Sequence, residues 1–381
     1  MDMIYLDNAA TTRIAPEVRA AMEPYLTEVY GNPSSTHRAG REARGAVDKA
    51  RDQVAKALGA KASEIVFTSG GTEADNAALV GVALAHRERG KHIVTTAMEH
   101  HAVLHTCAFL ESLGFEVTYV QPDRTGRVSV ESVRAALRDE TILLSVMMVN
   151  NETGAVQPIA DLAEMAQEHG VIFHTDAVQA VGQLPLDVNA LGVDLLSVSG
   201  HKVHGPKGVG ALYVRQQVKW TPYQYGGAQE QQRRAGTENL ASLVGFGMAM
   251  ERAVQGLEDK VAQVQKVRQA MLDVFTSELG TDGYIVNSPE DGVPAILNVT
   301  FPGASSERLL MNLDMQGVMA SSGSACTSGS LQPSHVLLAM CLTEEAVRSA
   351  IRFSFSGYNT VDEVQEAARK VCASVERLRR R

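Results

Sequence analysis

Nowhere in this chain do roughly 20 apolar residues run uninterrupted, the length a membrane span requires. The start, Met1-Asp2-Met3-Ile4-Tyr5-Leu6-Asp7, lacks the basic and apolar regions of a secretory signal, so a cytoplasmic protein with no membrane partner is expected. Positive charge is in deficit as well. The formal net charge is −9, and phosphate contacts need clustered Lys and Arg, so direct nucleic-acid binding is not expected. The short basic tail Arg377-Leu378-Arg379-Arg380-Arg381 reads as a solvated helix end. Cysteine is sparse: Cys107, Cys326, Cys341 and Cys372 are widely spaced with no CxxC pattern, which argues against a disulfide framework and a zinc site. Cys107, Cys341 and Cys372 read as buried small hydrophobes. Internal repeats and low-complexity segments are also lacking.

What is present is an alternation of strands and helices. Ala39, Ala43, Ala46, Ala50, Val54 and Ala57 recur at three- and four-residue spacing before Gly59, which predicts an amphipathic helix with a glycine stop. Apolar strands are predicted at Ile65–Phe67, His92–Thr95, Glu116–Val120, Ile142–Val149, Val171–His174, Leu195–Val198 and Ala211–Val214. Helical patterns separate most of them. Near-continuous apolar strands alternating with helices indicate an α/β fold with a mostly parallel sheet covered on both faces. After about Glu251 the texture changes to a charged helix (Val254 to Leu279), strands at Ile296–Phe301 and Ile351–Phe355, and further helices. We expect a large domain over residues 15–253 and a smaller α+β domain over 254–381, joined by an N-terminal segment, 1–14.

Several segments carry chemistry. Ser199-Gly-His-Lys202 follows a strand and opens a glycine-rich stretch that runs to Gly210. A lysine partly desolvated there loses proton affinity and can form a Schiff base, with Ser199 and His201 as phosphate donors beside it; the ordinary reading is an exposed loop lysine. Asp176 ends the strand before it, at the carboxyl end where open α/β sheets bind ligands. A carboxylate there suits a protonated pyridine nitrogen or, equally, a helix N-cap. The Ser69-Gly-Gly71-Thr72-Glu73 turn into a helix offers backbone N–H groups and a hydroxyl to an anion. It is neither a nucleotide P-loop nor GxGxxG. Of the vicinal histidines in Glu99-His100-His101, His100 is the choice for stacking on a cofactor ring. No metal site is expected, since adjacent helical residues do not share a face.

Ala320-Ser-Ser-Gly-Ser-Ala-Cys326-Thr-Ser-Gly-Ser330 surrounds one thiol with small polar residues and glycine. Such a loop is expected to be mobile and exposed, with its thiol reachable. Arg352 sits among apolar residues on a predicted strand. It needs an anionic partner: an amino-acid carboxylate or a structural ion pair.

Taken together, these segments resemble the cysteine desulfurases, the class V branch of the fold-type I pyridoxal-phosphate (PLP) enzymes. The match runs almost end to end through Tyr5-Leu-Asp-Asn-Ala-Ala-Thr-Thr12, Gly31-Asn-Pro-Ser-Ser-Thr-His37, Gly-Thr-Glu-Ala-Asp-Asn76, Asn150-Asn-Glu-Thr-Gly154, Ser199-Gly-His-Lys202, Arg234-Ala-Gly-Thr237 and Ser322-Gly-Ser-Ala-Cys326-Thr-Ser. The last form is similar to the long-loop subgroup that serves iron–sulfur assembly and tRNA thiolation.

The resemblance implies pyridoxal 5'-phosphate held covalently by Lys202, with Asp176 on the pyridine nitrogen, Gln179 on the ring hydroxyl and His100 stacked on the ring, assisting proton transfer. It places Gly71, Thr72, Ser199 and His201 at the phosphate, joined by Thr237 of a neighbouring subunit in a homodimer. Asn151 and Arg352 grip the carboxylate of L-cysteine. Cys326 takes its sulfur as a persulfide, passed to an iron–sulfur scaffold or a tRNA-thiolating enzyme. Selenocysteine lyase, aminotransferase and a catalytically idle scaffold are the alternative readings. One stretch departs from the family pattern Gly-Gly-Gly-Gln-Glu-Arg-Gly: here Gly226-Gly-Ala-Gln-Glu-Gln-Gln232 carries Ala228, Gln231 and Gln232.

Overall fold

The computed structural model describes residues 3–323 and 333–380. Seven strands form the main sheet in the order Ile65–Thr68, Gly210–Val214, Leu195–Ser199, Ile172–Asp176, Thr141–Ser145, His92–Thr96, Glu116–Val120. Gly210–Val214 pairs antiparallel with both neighbours, and every other pairing is parallel. Burial explains the unalternating apolar strands. Phe67, Val94, Leu144, Phe173 and Val198 face one core with the helix Arg38–Leu58, while Val66, Ile93, Leu143 and Leu195 face another with the helix Gly71–His86. Both faces are covered, as a mainly parallel sheet requires. The expected α/β class and fold-type I architecture hold.

Gly59 caps the helix Arg38–Leu58 at φ 67°, a left-handed position where glycine avoids a Cβ clash. The expected charged helix from Val254 to Leu279 starts at Leu257 and ends at Leu279; a separate helix, Leu240–Val254, precedes it, and Gly256 with φ 59° parts the two. A third core gathers Val267, Met271, Phe275, Leu297, Phe353 and Val371 around the antiparallel strands Ile296–Thr300 and Ala350–Ser354. The N-terminal strand Ile4–Tyr5 pairs with Val318–Met319 and adds Leu6 to that core. Among the described residues, no helix is long and apolar enough to cross a membrane.

The chain order reverses between the neighbouring strands His92–Thr96 and Thr141–Ser145. A crevice opens outside the carboxyl ends of strands at such a reversal. His100 follows the first strand and Asn151 the second.

Candidate active site

A cavity of about 470 Å³ lies at these strand ends. Gly71 and Thr72 line it from the helix start, and Ser199, His201 and Lys202 from the strand-to-loop turn. Asp176, Gln179, His100, Asn151 and Arg352 complete the wall. Thr237 is exposed and does not reach it. Cys326 lies outside the described residues.

Lys202 Nζ donates to the carbonyls of Ala9 and Ala10, the latter at 2.9 Å. Gln179 Nε2 also donates to Ala9 O, at 2.9 Å, so the Asp7–Thr12 segment closes the site from the N-terminus. Asp176 is buried, and its Oδ1 accepts the Val178 N–H at 2.9 Å, a local turn rather than the cap of a helix. Burial raises its carboxyl to about 6, against the opposing pull of that N–H and of the Lys202 charge. A cationic ring nitrogen beside it would favour the anion further.

His100 caps the helix His101–Ser112 and accepts the Ala102 N–H on Nδ1 at 3.1 Å, which leaves the ring proton to Nε2. Burial, aided by the Lys202 charge, depresses it to about 4, so the imidazole is neutral at pH 7. His201 is likewise depressed to about 4 by burial, and its Nδ1 lies 3.2 Å from Thr11 Oγ1.

The donors fit an anionic phosphate and a carboxylate. Among the described residues, Ser199 Oγ and Arg352 Nε are buried without a hydrogen-bond partner, a costly state that a ligand would relieve. At Gly71 a Cβ would stand 2.7 Å from Val178 Cγ2, so a side chain there would crowd the cradle. Arg352 is 1% exposed; its Nη2 meets Asp7 Oδ1 at 2.8 Å and its Nη1 donates to Asn151 O at 2.9 Å.

Sequence reasoning missed three acids. Asp75 lines the cavity fully buried, and burial together with the Asp176 charge raises its carboxyl well above the ordinary range. Glu99, the residue before His100, is raised to about 8 by burial. Glu73 pairs with Arg234 at 2.8 Å, tying the cradle to the segment that carries Thr237. Their signal was position: Glu73 and Asp75 lie within the Gly-Thr-Glu-Ala-Asp-Asn76 turn, and Glu99 precedes His100. Among the cysteines, Cys107 and Cys372 are buried as expected, and burial pushes both thiols up to about 12. Cys341 differs. It is exposed at φ 62°, in the turn after the five-residue helix His335–Ala339, where little chain covers it.

The Aminotransferase class-V family model matches residues 4–366. The cysteine desulfurase IscS of Methanosarcina thermophila is 48% identical over 99% of this chain and 93% of its own length. A solved structure titled NifS-like protein superposes with a TM-score of 0.92 at 37% identity, covering 97% of this chain and 98% of that one. Another, titled SspA in complex with cysteine, does so with a TM-score of 0.83 at 38% identity, over 94% and 100%. With the fold, the cavity and these likenesses in agreement, the chain belongs to the PLP-dependent class-V aminotransferase family, on its cysteine desulfurase branch.

Proposed function

We propose that the chain converts L-cysteine to L-alanine and takes the sulfur as a persulfide on Cys326. The observation that carries this reading is the convergence, in one cavity, of Lys202, Asp176 and His100 with the unpaired donors Ser199 Oγ and Arg352 Nε. Bound there, pyridoxal phosphate supplies a ring that takes up the electrons left when the substrate Cα loses its proton.

The chain's own groups do the rest. Arg352 and Asn151 hold the substrate carboxylate; Ser199, His201, Thr72 and the Gly71 turn hold the phosphate. Asp176 would hold the ring nitrogen as an anion, and Gln179 would hold the ring hydroxyl. The Lys202 amine would move the Cα proton, with His100 Nε2 within the same wall. The Cys326 thiolate attacks the substrate sulfur: the S–S bond forms, the Cβ–S bond breaks, and its electron pair returns to the carbon fragment. That fragment takes up protons and leaves as alanine. The balance is cysteine plus thiol to alanine plus persulfide, with no outside oxidant.

A homodimer would bring Thr237 of one subunit to the phosphate of the other. We assign residues 15–253 and 254–381 to two domains, and place the reaction in the cytoplasm, with an iron–sulfur scaffold or a tRNA-thiolating enzyme as sulfur acceptor. The test is the cofactor-loaded protein given cysteine, without a keto acid. Alanine appearing one for one with enzyme-bound sulfur supports the reading. A requirement for a keto acid assigns an aminotransferase instead, and turnover of selenocysteine but not cysteine assigns the lyase.

A further inference from the structure

Glu152 follows Asn151 in the Asn150-Asn-Glu-Thr-Gly154 turn, yet it is 1% exposed and plays no part in the steps above. Its backbone is fixed from two sides. Its N–H donates to Asn150 Oδ1 at 2.9 Å, and its carbonyl accepts Asn298 Nδ2 at 3.2 Å. Asn298 lies directly across from Arg352 in the antiparallel pair of the third core.

The carboxylate reaches the other way. Ser334 Oγ donates to Glu152 Oε2 at 2.5 Å, and a Cβ built on Gly323 would stand 3.3 Å from the same oxygen. Gly323 and Ser334 lie on the two sides of segment 324–332 in the chain. One carboxylate therefore meets both flanks of the stretch that contains Cys326. The same flanks are tied to the substrate grip. The backbone N–H of Ser321 donates to Arg352 O at 3.2 Å, the Arg352 N–H donates back at 2.6 Å, and Arg352 Nη1 holds Asn151 O. Ser334, Glu152, Asn151, Arg352 and Ser321 thus form one connected chain of contacts, with Ser334 and Ser321 at its ends.

We propose that Glu152 is a positioning residue for sulfur transfer, a shared anchor that fixes where the chain on either side of Cys326 departs relative to the bound substrate carboxylate. This rests on the reading of Cys326 as sulfur acceptor. A buried carboxylate is costly to place, and a hydroxyl donor at 2.5 Å offsets part of that cost. Holding Ser334 by a hydrogen bond and packing the carboxylate beside Gly323 fixes the two residues that bracket segment 324–332, and small misplacements slow a transfer steeply.

The test uses cofactor-loaded protein and two readouts. One is the rate of single-turnover sulfur labelling of Cys326 at saturating cysteine. The other is the midpoint of the absorbance change produced by L-alanine, which has the carboxylate but no sulfur. Glu152→Ala is expected to slow labelling by about 10- to 100-fold while leaving the alanine midpoint in place. Glu152→Gln, which keeps an oxygen acceptor for Ser334, recovers most of the rate. Ser334→Ala slows labelling less, and adding it to Glu152→Ala causes no further loss, because both act through one contact. Wild-type labelling in Glu152→Ala, independent effects in the double variant, or an alanine midpoint that moves in step with the rate would overturn the proposal. If Glu152→Ala does not fold, Ser334→Ala decides, and wild-type labelling there also overturns it. Sulfur labelling at another cysteine of the unmutated enzyme would instead remove the Cys326 reading on which this rests.

Discussion

The floor of the cavity ends buried strands, whereas the segment that departs from the family pattern, outside the cavity's lining, runs through strained backbone. On the floor, Asp176 and Ser199 close the strands Ile172–Asp176 and Leu195–Ser199, and the sheet holds them in register. In the departing segment, Glu230, Gln231 and Gln232 are three successive non-glycine residues at φ 48°, 58° and 66°. Each such left-handed residue costs on the order of 1 kcal/mol. What offsets the strain is a clamp: Arg51 donates twice to the Glu230 carboxylate, at 2.7 and 2.6 Å, and the Phe67 N–H donates to it at 2.9 Å. The guanidinium also lies over the Phe67 ring, 4.6 Å from its centroid. The floor is fixed by topology; the departing segment is pinned around one buried carboxylate, Glu230.

That contrast can be broken at either end. The largest effect is expected at Lys202: replacement by Ala should cut cysteine turnover by about a thousandfold and remove the covalently bound cofactor's absorbance band, with little change in the folded fraction. An unchanged band would move the cofactor to another lysine. Next is the clamp. Removing one partner of a buried pair typically costs about 3–5 kcal/mol, so Glu230→Ala should lower the denaturant midpoint markedly, and Arg51→Met in that background should restore much of it. A midpoint unmoved by Glu230→Ala would mean that the strained segment does not depend on the pair.

A smaller effect distinguishes the floor by pH. His100 and His201 sit at about 4 in the folded chain, below the 6.5 of free imidazole. The unfolded chain binds protons in that interval that the folded chain refuses, so these two contribute stability that is lost as pH falls from about 6.5 to about 4. Asp176, raised to about 6, contributes in the opposite sense: its stabilising share is lost as pH rises from about 4 to about 6. In the cofactor-free protein, His100→Gln should therefore make the acid-side fall in urea midpoint shallower, and an unaltered slope would refute the burial argument. The smallest change is Gln232→Gly, which restores the residue the family pattern has there. Relieving one left-handed side chain should stabilise the chain by about 1 kcal/mol or less. A loss of stability would show that the Gln232 side chain makes a compensating contact.

The same contrast explains what could be read beforehand. Strand ends are legible because an apolar run that stops at Asp176 or Ser199 marks both a boundary and a position in the sheet. The glycine turn before Thr72 and the glycine stop at Gly59 follow from backbone stereochemistry alone. Burial of acids was not legible. Asp75 and Glu99 are polar letters beside helix starts, and only the tertiary packing encloses them. Glu230 looks like an exposed loop acid until Arg51, 179 residues away, meets it. The stop at Gly256 was hidden because helical spacing continues on both sides, so the charged helix was expected from Val254 and not from Leu257. The exposure of Cys341 depends on a short helix that apolar spacing alone did not reveal.

The central claim is that Cys326, and not another thiol, receives the sulfur. Mass spectrometry of the cofactor-loaded protein after one equivalent of cysteine tests it most directly, because exposed Cys341 is a competing thiol on the same chain. One added sulfur on the Cys326 peptide, matched by one alanine and abolished in Cys326→Ala with the cofactor band intact, is the result expected. Sulfur on Cys341, or undiminished turnover in Cys326→Ala, would contradict it.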